Sequence, residues 1–404
     1  MRLKYPRMAT AMAFALIPLS GFVTDMYIPS LPSMAAALHT STIQVQLTLT
    51  FFLISYGVFQ LFVGSLLDSY GRYKLSLISL VLLALSNIEI AVTHHIYLIY
   101  AMRVVQGMTV AFIVVGKRAF FIDVYTGDKR QHYLSLFSII WATGPIVAPF
   151  IGGYLQTAFG WQSNFYALAA LSAVMVVLEW IFGGETLPQA APFKTRHITA
   201  TYGRLLGTPT FTLGIIMCGL SYCMVMIFNL TGAFIIEHRF HMSAVIAGYS
   251  SLFMGFALMA GGFISKATIK RPFFRKLSFN LGWQILFVAA MLVSIPYAEN
   301  LYTLLFFACL IHTCAGYTFN NFFTFCLSRF PQNAGVASGL TGGINYVLVS
   351  ILSSSIIIFL PAKDERNLAY GYAIIILLSV VVMSVILRIN RAPSPAVPLR
   401  SQER

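Results

Sequence analysis

The sequence predicts an all-α membrane protein of twelve transmembrane helices in two six-helix bundles. Three observations predict it: a shortage of charge, apolar runs of membrane length, and a one-sided distribution of Lys and Arg. Charged residues make up 9% of the 404 residues, against roughly 25% in an average soluble domain. Hydrophobic residues are 58%, and the mean hydropathy is +0.80. So few charges cannot cover the surface of a soluble fold this long, so lipid must be the solvent. A bilayer core of about 30 Å takes roughly 20 apolar residues per helix, and the chain has room for a dozen such helices with short connections. Long uninterrupted apolar runs with little period-two alternation exclude an outer-membrane barrel.

In chain order, the apolar runs predict spans at about 8–29, 44–67, 75–94, 96–119, 133–156, 163–183, 209–235, 244–265, 277–297, 300–326, 334–360 and 368–388. The start, MRLKYPR before an apolar run, resembles a signal peptide, but parity argues against cleavage. With alternate loops on opposite sides, 22 of the 26 Lys and Arg fall on one side. They cluster at Arg2–Arg7, Arg72 and Lys74, Lys117–Arg130, Lys194–Arg204, Lys266–Lys276, Arg329, and the end of the chain from Arg388. Arg239, Lys363 and Arg366 fall on the other side, and Arg103 alone lies within a span. This positive-inside bias puts both termini in the cytoplasm. The formal net charge is +14, but the basic residues form no long face, so nucleic acid is not an expected partner. The five cysteines, Cys218, Cys223, Cys309, Cys314 and Cys326, lie in or beside apolar stretches and read as small core residues.

The longest polar interval, about 185–208, carries Pro188, Pro192, Lys194, Arg196 and Arg204 and reads as a cytoplasmic linker. It divides an N-terminal six-helix bundle, 1–184, from a C-terminal bundle with a short cytoplasmic tail, 209–404. Paired halves suggest an internal repeat: the basic loop 266–276 occupies in the second half the place that 68–74 occupies in the first. The bare outer face leaves no room for a receptor or soluble catalytic domain. A monomer in the lipid bilayer is expected.

The loop between spans 2 and 3 reads Gly64-Ser-Leu-Leu-Asp68-Ser-Tyr-Gly71-Arg72-Tyr73-Lys74. Gly64 is expected to let helices approach closely and Gly71 to permit a tight turn. Asp68 can accept hydrogen bonds from a helix N-terminus or from arginine. Asp123, beside Arg118 at the end of span 4, is a candidate third member of the charge cluster. The pattern resembles the G-x-L-x-D-x-x-G-R-x-x loop signature of the major facilitator superfamily, with Tyr73 where a second basic residue usually stands. That resemblance implies two six-helix bundles about a central cavity, and a cytoplasmic gating latch at Gly64, Asp68, Gly71, Arg72 and Asp123.

The outer end of span 1 carries Thr24-Asp25-Met-Tyr27-Ile-Pro29-Ser-Leu-Pro32. With Gln46-Leu-Thr48, Arg118-Ala119 and Asp123, it resembles the bicyclomycin-resistance (Bcr/CflA) branch of the 12-span drug:proton antiporters. An ionisable group inside a span is costly and marks function by default. Withdrawal from water penalises a carboxylate, which makes proton binding at Asp25 feasible. Arg103-Val-Val-Gln106-Gly107 in span 4 resembles the R-x-x-Q-G pattern of these antiporters. Arginine keeps its charge, so at membrane depth it needs a carboxylate, carbonyls or water. At 1.5 Å per residue, Asp25 lies roughly 25 Å along span 1 from the inner boundary, and Arg103 roughly 10 Å into span 4 from the outer one. The two are therefore expected to share a depth in the outer half and to couple proton release to a change of access.

Span 5 holds Thr143-Gly144-Pro145-Ile-Val-Ala-Pro149-Phe-Ile-Gly152-Gly153. Gly and Pro at this density allow close helix contact and bending. The stretch resembles the motif that distinguishes antiporters in the superfamily, which favours export over uptake. Glu89 is expected near the outer water and Glu179 to snorkel from the inner end of span 6. His312 is expected to be buried and hydrogen-bonded. Phe, Tyr and Met facing a cavity suit weakly specific amphipathic ligands; Tyr27, Tyr56, Phe228 and Asn229 are the candidate substrate-binding residues.

The chain holds no phosphate-cradling G-x-x-x-x-G-K-[ST], no His/acid cluster with metal spacing and no Gly-x-Ser-x-Gly. It therefore reads as a transporter rather than an enzyme, with no cofactor and no metal, drawing on an ion gradient. One charge moving down 100 mV yields roughly 2.3 kcal/mol. The expected function is proton-coupled export of small, mostly hydrophobic drugs or toxic compounds by alternating access. The alternatives are a dedicated exporter of a metabolite such as a siderophore, amino acid or sugar, or an uptake symporter.

Overall fold

Prolines cut the first span into pieces. The computed structural model describes residues 5–187, 189, 195–330 and 334–391. Arg2, Lys4, Pro188, Pro192, Lys194, Pro331 and the chain beyond 391, with Arg400 and Arg404, lie outside the described residues. Helix α1 (Pro6–Leu16) is followed by α2 (Leu19–Asp25), a 3-10 turn (Ile28–Ser30) and α3 (Leu31–Ala37). Pro18, Pro29 and Pro32 each lack the amide proton that a continuous helix needs. The breaks fall around Asp25, so the acid ends a short helix instead of sitting within a long one.

Next come α4 (Thr42–Tyr70), α5 (Arg72–Val92), α6 (Ile96–Val124), α7 (Gly127–Phe159) and α8 (Gln162–Phe182). Helix α4 opens on a capping box. Ser41 Oγ accepts from the Gln44 amide at 3.2 Å, and Gln44 Oε1 accepts from the Ser41 amide at 3.1 Å, which satisfies two orphan donors. It stops at Gly71, whose φ of +93° suits a residue without a β-carbon. Helix α7 runs 33 residues through Pro145 and Pro149.

The interval expected to be a cytoplasmic linker contains a helix, α9 (Thr195–Leu206). Its Leu205 is fully buried with Phe211, Cys326 and Leu340 of the second half. Its Tyr202 hydroxyl donates to the Leu61 carbonyl of α4 at 2.5 Å. The segment therefore straps the two halves together.

The second half consists of α10 (Pro209–Phe234), which passes into a π-turn (Ile235–Arg239), then α11 (Ala244–Ala267), α12 (Phe273–Ser294), α13 (Leu301–Arg329), α14 (Ala334–Phe359) and α15 (Glu365–Arg391). Among the described residues, eleven helical stretches are long and apolar enough to cross a membrane, the broken first span counted as one. Helix α7 has the length for the remaining span, fifth in order, in agreement with the twelve-span reading. The halves meet along α4–α14, α7–α11 and α2–α10. All five cysteines are free thiols; four are buried and Cys309 is half-buried.

Candidate proton and substrate site between the halves

Asp25 ends α2 and is 1% exposed. Its Oδ1 accepts from Asn229 Nδ2 on α10, across the boundary between halves, at 3.2 Å. Its Oδ2 is buried without a protein partner. The carboxyl lines a cavity with Ser20, Thr24, Tyr56, Trp141, Tyr222 and Tyr346, again from both halves. The Tyr56 and Tyr346 rings lie 4.7 Å apart. The cavity has room for roughly one water molecule, so this is a closed conformation. At one face the halves are joined by buried Gln46 Nε2 donating to the Leu230 carbonyl at 2.6 Å and, on the surface, by the Tyr154–Tyr249 hydroxyl pair at 2.9 Å. The other, which carries the N-terminus, is sealed by Arg118 Nη1 donating to Ser338 Oγ at 2.6 Å and by the α9 strap.

Arg103 on α6 is fully buried. Its Nη1 donates to the Val23 carbonyl at 3.1 Å and to Gln106 Oε1 at 2.6 Å. Gln106 Nε2 donates onward to Asn87 Oδ1 at 3.1 Å. The guanidinium lies 4.0 Å from the Tyr27 ring centre and 5.1 Å from that of Phe52, where the ring quadrupoles offset part of the cost of burying a cation. The expected pairing of Asp25 with Arg103 takes an indirect form. No ion pair joins them among the described residues; Arg103 instead grips Val23, two residues before the acid, and acts on Asp25 through space. The physical reason is that the aromatic rings hold the guanidinium while Asn229 takes the carboxylate.

Two of the lining candidates belong elsewhere. Tyr27 is the lid on Arg103, and its hydroxyl bonds Thr48 Oγ1 at 2.9 Å. Phe228 packs edge-on against His312, with ring centres 5.5 Å apart. Both carry bulky rings, and tight packing around Arg103 and within the second half draws them out of the cavity wall. Tyr56 does line the cavity, and Asn229 holds its acid. His312 is buried, with Nε2 3.2 Å from the Tyr372 hydroxyl.

At the N-terminal face, Arg72 Nη2 pairs with Asp68 Oδ1 at 3.0 Å, and Nη1 forms a short contact with Asp123 Oδ2. Thr186 Oγ1 donates to the same Asp123 oxygen at 3.2 Å. The first-turn amides of α5 are taken by Glu185. Its Oε1 accepts from Arg72 N at 3.1 Å, and its Oε2 from Tyr73 N at 3.2 Å. Partial burial pushes Glu185 upward, but the backbone amides of Leu187, Arg72, Tyr73 and Thr186 outweigh it and hold its carboxyl below the usual range.

The sequence pattern missed Glu185, because nothing ties an acid after span 6 to a turn more than a hundred residues earlier. Gly64 departs from expectation: a β-carbon there meets nothing within 4 Å, so it makes no close helix approach. Asp68 and Asp123, the ion-pair partners of Arg72, both lie in the first half, so this cluster braces that half. Among the described residues, Arg118 reaches Ser338 across the halves at this face, and Tyr202 of the linker helix reaches Leu61. Glu179 also departs from expectation. It is 3% exposed and paired with Lys117 Nζ, itself 6% exposed, in a short contact between α8 and α6. Each is the neutralising partner the other needs to stay buried.

The Gly/Pro stretch of α7 is wedged between the halves. A β-carbon at Gly144 would lie 2.5 Å from the Pro18 carbonyl oxygen, and one at Gly152 would lie 1.6 Å from that of Met26. On the other side, a β-carbon at Gly153 would lie 2.6 Å from the Ala244 carbonyl oxygen of α11. Pro145 packs against Gly21, and the Pro149 carbonyl against Gly248. The stretch thus positions the Asp25 segment and carries the α7–α11 contact.

Membrane-length helices in two halves, closed over a cavity with a buried acid, define a multi-pass transporter. The chain belongs to the Major Facilitator Superfamily, whose family model matches residues 13–354. It is 28% identical over 368 residues to multidrug resistance protein D of Escherichia coli, covering 88% of this chain and 90% of that one. It is 33% identical over 165 residues to a bicyclomycin resistance protein homolog of Haemophilus influenzae, covering 41% and 42%. Among solved structures, the D-xylose-proton symporter superposes with a TM-score of 0.75 at 12% identity, covering 94% of this chain and 97% of that one; this likeness shows the fold. The relatives' names agree with the branch that the motifs resemble.

Proposed function

We propose that this chain is a proton-coupled exporter of small, mostly hydrophobic compounds across a bacterial inner membrane, working by alternating access with both termini in the cytoplasm. One observation carries the reading. Asp25, buried at the boundary of the halves, has one oxygen bonded across it to Asn229 and the other free in an aromatic-walled cavity. A carboxyl so placed is a proton carrier whose surroundings change when the halves part. Arg103, fixed by Tyr27, Phe52 and Gln106, supplies a constant positive charge that favours proton release in one arrangement. The Gly144–Gly153 stretch of α7 carries the moving contact with α11. Asp68, Arg72 and Asp123 keep the N-terminal face of the first half rigid enough for Arg118 to reach Ser338. The names of the relatives support drugs as the cargo, and the bias of Lys and Arg supports the orientation.

The test is flux in proteoliposomes of a small compound panel, including cationic dyes and neutral antibiotics, with and without an imposed pH difference. Compound movement opposite to the proton gradient is expected. Movement in the same direction as protons would make the protein a symporter and overturn the reading.

A further inference from the structure

Outside the central cavity, two more carboxyls among the described residues have buried oxygens without a partner: the half-buried Glu237 at Oε1 alone, and Glu365 at both. Glu365 opens α15 at the face opposite the N-terminus and is 0% exposed. Neither Oε1 nor Oε2 has a hydrogen-bond donor. An ionised carboxylate withdrawn from water with nothing to replace it is strongly disfavoured, so in this closed state the group holds its proton.

Among the described residues, no cation is paired with the Glu365 carboxyl. Helix α15 packs on α10 and α12, which carry no charged residue in their halves near this face; α14 carries none at all. The π-turn after α10 brings Glu237, His238 and Arg239. Arg239 is already bound to Glu299 at 2.8 Å. Glu299, in the α12–α13 connection, acts on Glu365 as a like charge. Of the chain neighbours, Asp364 is acidic, Arg366 is engaged electrostatically by Glu299, and Lys363 is exposed.

Position gives this acid a task. Ala362, three residues earlier, packs on an apolar cluster that joins Tyr27, Leu31 and Met34 of the first half to Phe234 of the second. That cluster is part of the seal on this face. Parting the halves must loosen the 360–365 loop and admit water to Glu365, where the carboxylate becomes soluble.

We propose that Glu365 is a second proton-binding site, and that its protonation closes the outer face. The proposal rests on the exporter reading for which face is outward. A proton taken from the external medium then favours the closed arrangement, and its loss favours opening.

The test follows the outer seal directly, without substrate. Nitroxide labels are placed at Ala37→Cys and Tyr297→Cys, with Cys309 replaced by Ala and Asp25 by Asn to silence the central acid. In the Asp25→Asn protein, the open population is expected to grow as the pH is raised. Adding Glu365→Gln, which mimics the protonated form, should hold the face closed at every pH. A double variant that keeps the full pH response overturns the proposal. A second measurement needs no variant: dicyclohexylcarbodiimide attacks protonated carboxyls in apolar surroundings, so the unaltered chain should carry an adduct at Glu365 and none at Glu299. Absence of the Glu365 adduct also overturns the proposal. Neither readout involves flux, so failure here leaves the exporter reading standing, and failure of that reading shows in the flux experiment.

Discussion

Gly152→Ala is the most informative packing change. The new β-carbon would sit 1.6 Å from the Met26 carbonyl oxygen and 2.7 Å from its carbonyl carbon. Carbon and oxygen in favourable contact stand about 3.3 Å apart, so α7 and the segment carrying Asp25 must part by roughly 1.5 Å or more. Both obstructing atoms are backbone, so no rotamer change relieves the clash. Overpacking of this kind costs about 1–3 kcal/mol, and alanine's better helix propensity returns up to about 1 kcal/mol. The expected net loss is about 2 kcal/mol, since a backbone clash belongs at the upper end of that range. Gly64→Ala is the matched control: its β-carbon meets nothing within 4 Å, so only the propensity gain remains. The assay is thermal unfolding of both variants in detergent, beside the unaltered protein. Gly152→Ala should melt several degrees lower, and Gly64→Ala at or slightly above the parent. Because Met26 follows Asp25, proton coupling should fall with stability in the first variant and stay unchanged in the second. Gly152→Ala melting at or above the parent would refute the packing argument.

Further outcomes follow from the charged groups. Glu179→Gln should destabilise the first half by about 3–5 kcal/mol, because Lys117 is left charged and buried, whereas Lys117→Met with Glu179→Leu should recover most of it; denaturation of the three proteins decides. Glu185, held below the usual carboxyl range, contributes stability above that range and loses it as the pH falls through its lowered value. The difference in melting temperature between the parent and Glu185→Gln should therefore shrink on acidification, and a difference that grows would contradict the assignment. Arg103→Lys keeps the charge but loses the planar stacking and forked reach. Substrate-driven proton movement should fall by about tenfold or more, the scale of a lost cation–π contact and a buried hydrogen bond, while membrane insertion is unchanged.

Much of this was legible in the residues. Asp25 and Arg103 stood out because a charge inside an apolar run has few explanations; Asp25 is buried at the boundary of the halves, and Arg103 within the first half. Gly144–Gly153 announced close packing through composition alone. What stayed hidden was pairing at long range. Lys117 reads as a topology signal until Glu179 is brought against it by the packing of α6 and α8. Glu185 reads as a loop acid until the turn at Gly71 presents two amides to it. Tyr27 stands beside Asp25 in sequence and reads as cavity lining, yet the prolines bend the first span so that its ring covers Arg103. The cavity wall itself, Tyr222 and Tyr346 from one half with Tyr56 and Trp141 from the other, depends on how two bundles dock, which no local pattern records.

The central claim is that Asp25 carries the coupled proton. Its most direct test is substrate-driven proton movement in proteoliposomes bearing Asp25→Asn, with insertion verified in the same vesicles. The account predicts that compound addition shifts the lumenal pH for the unaltered protein and leaves it flat for the variant. An equal shift in both would contradict it.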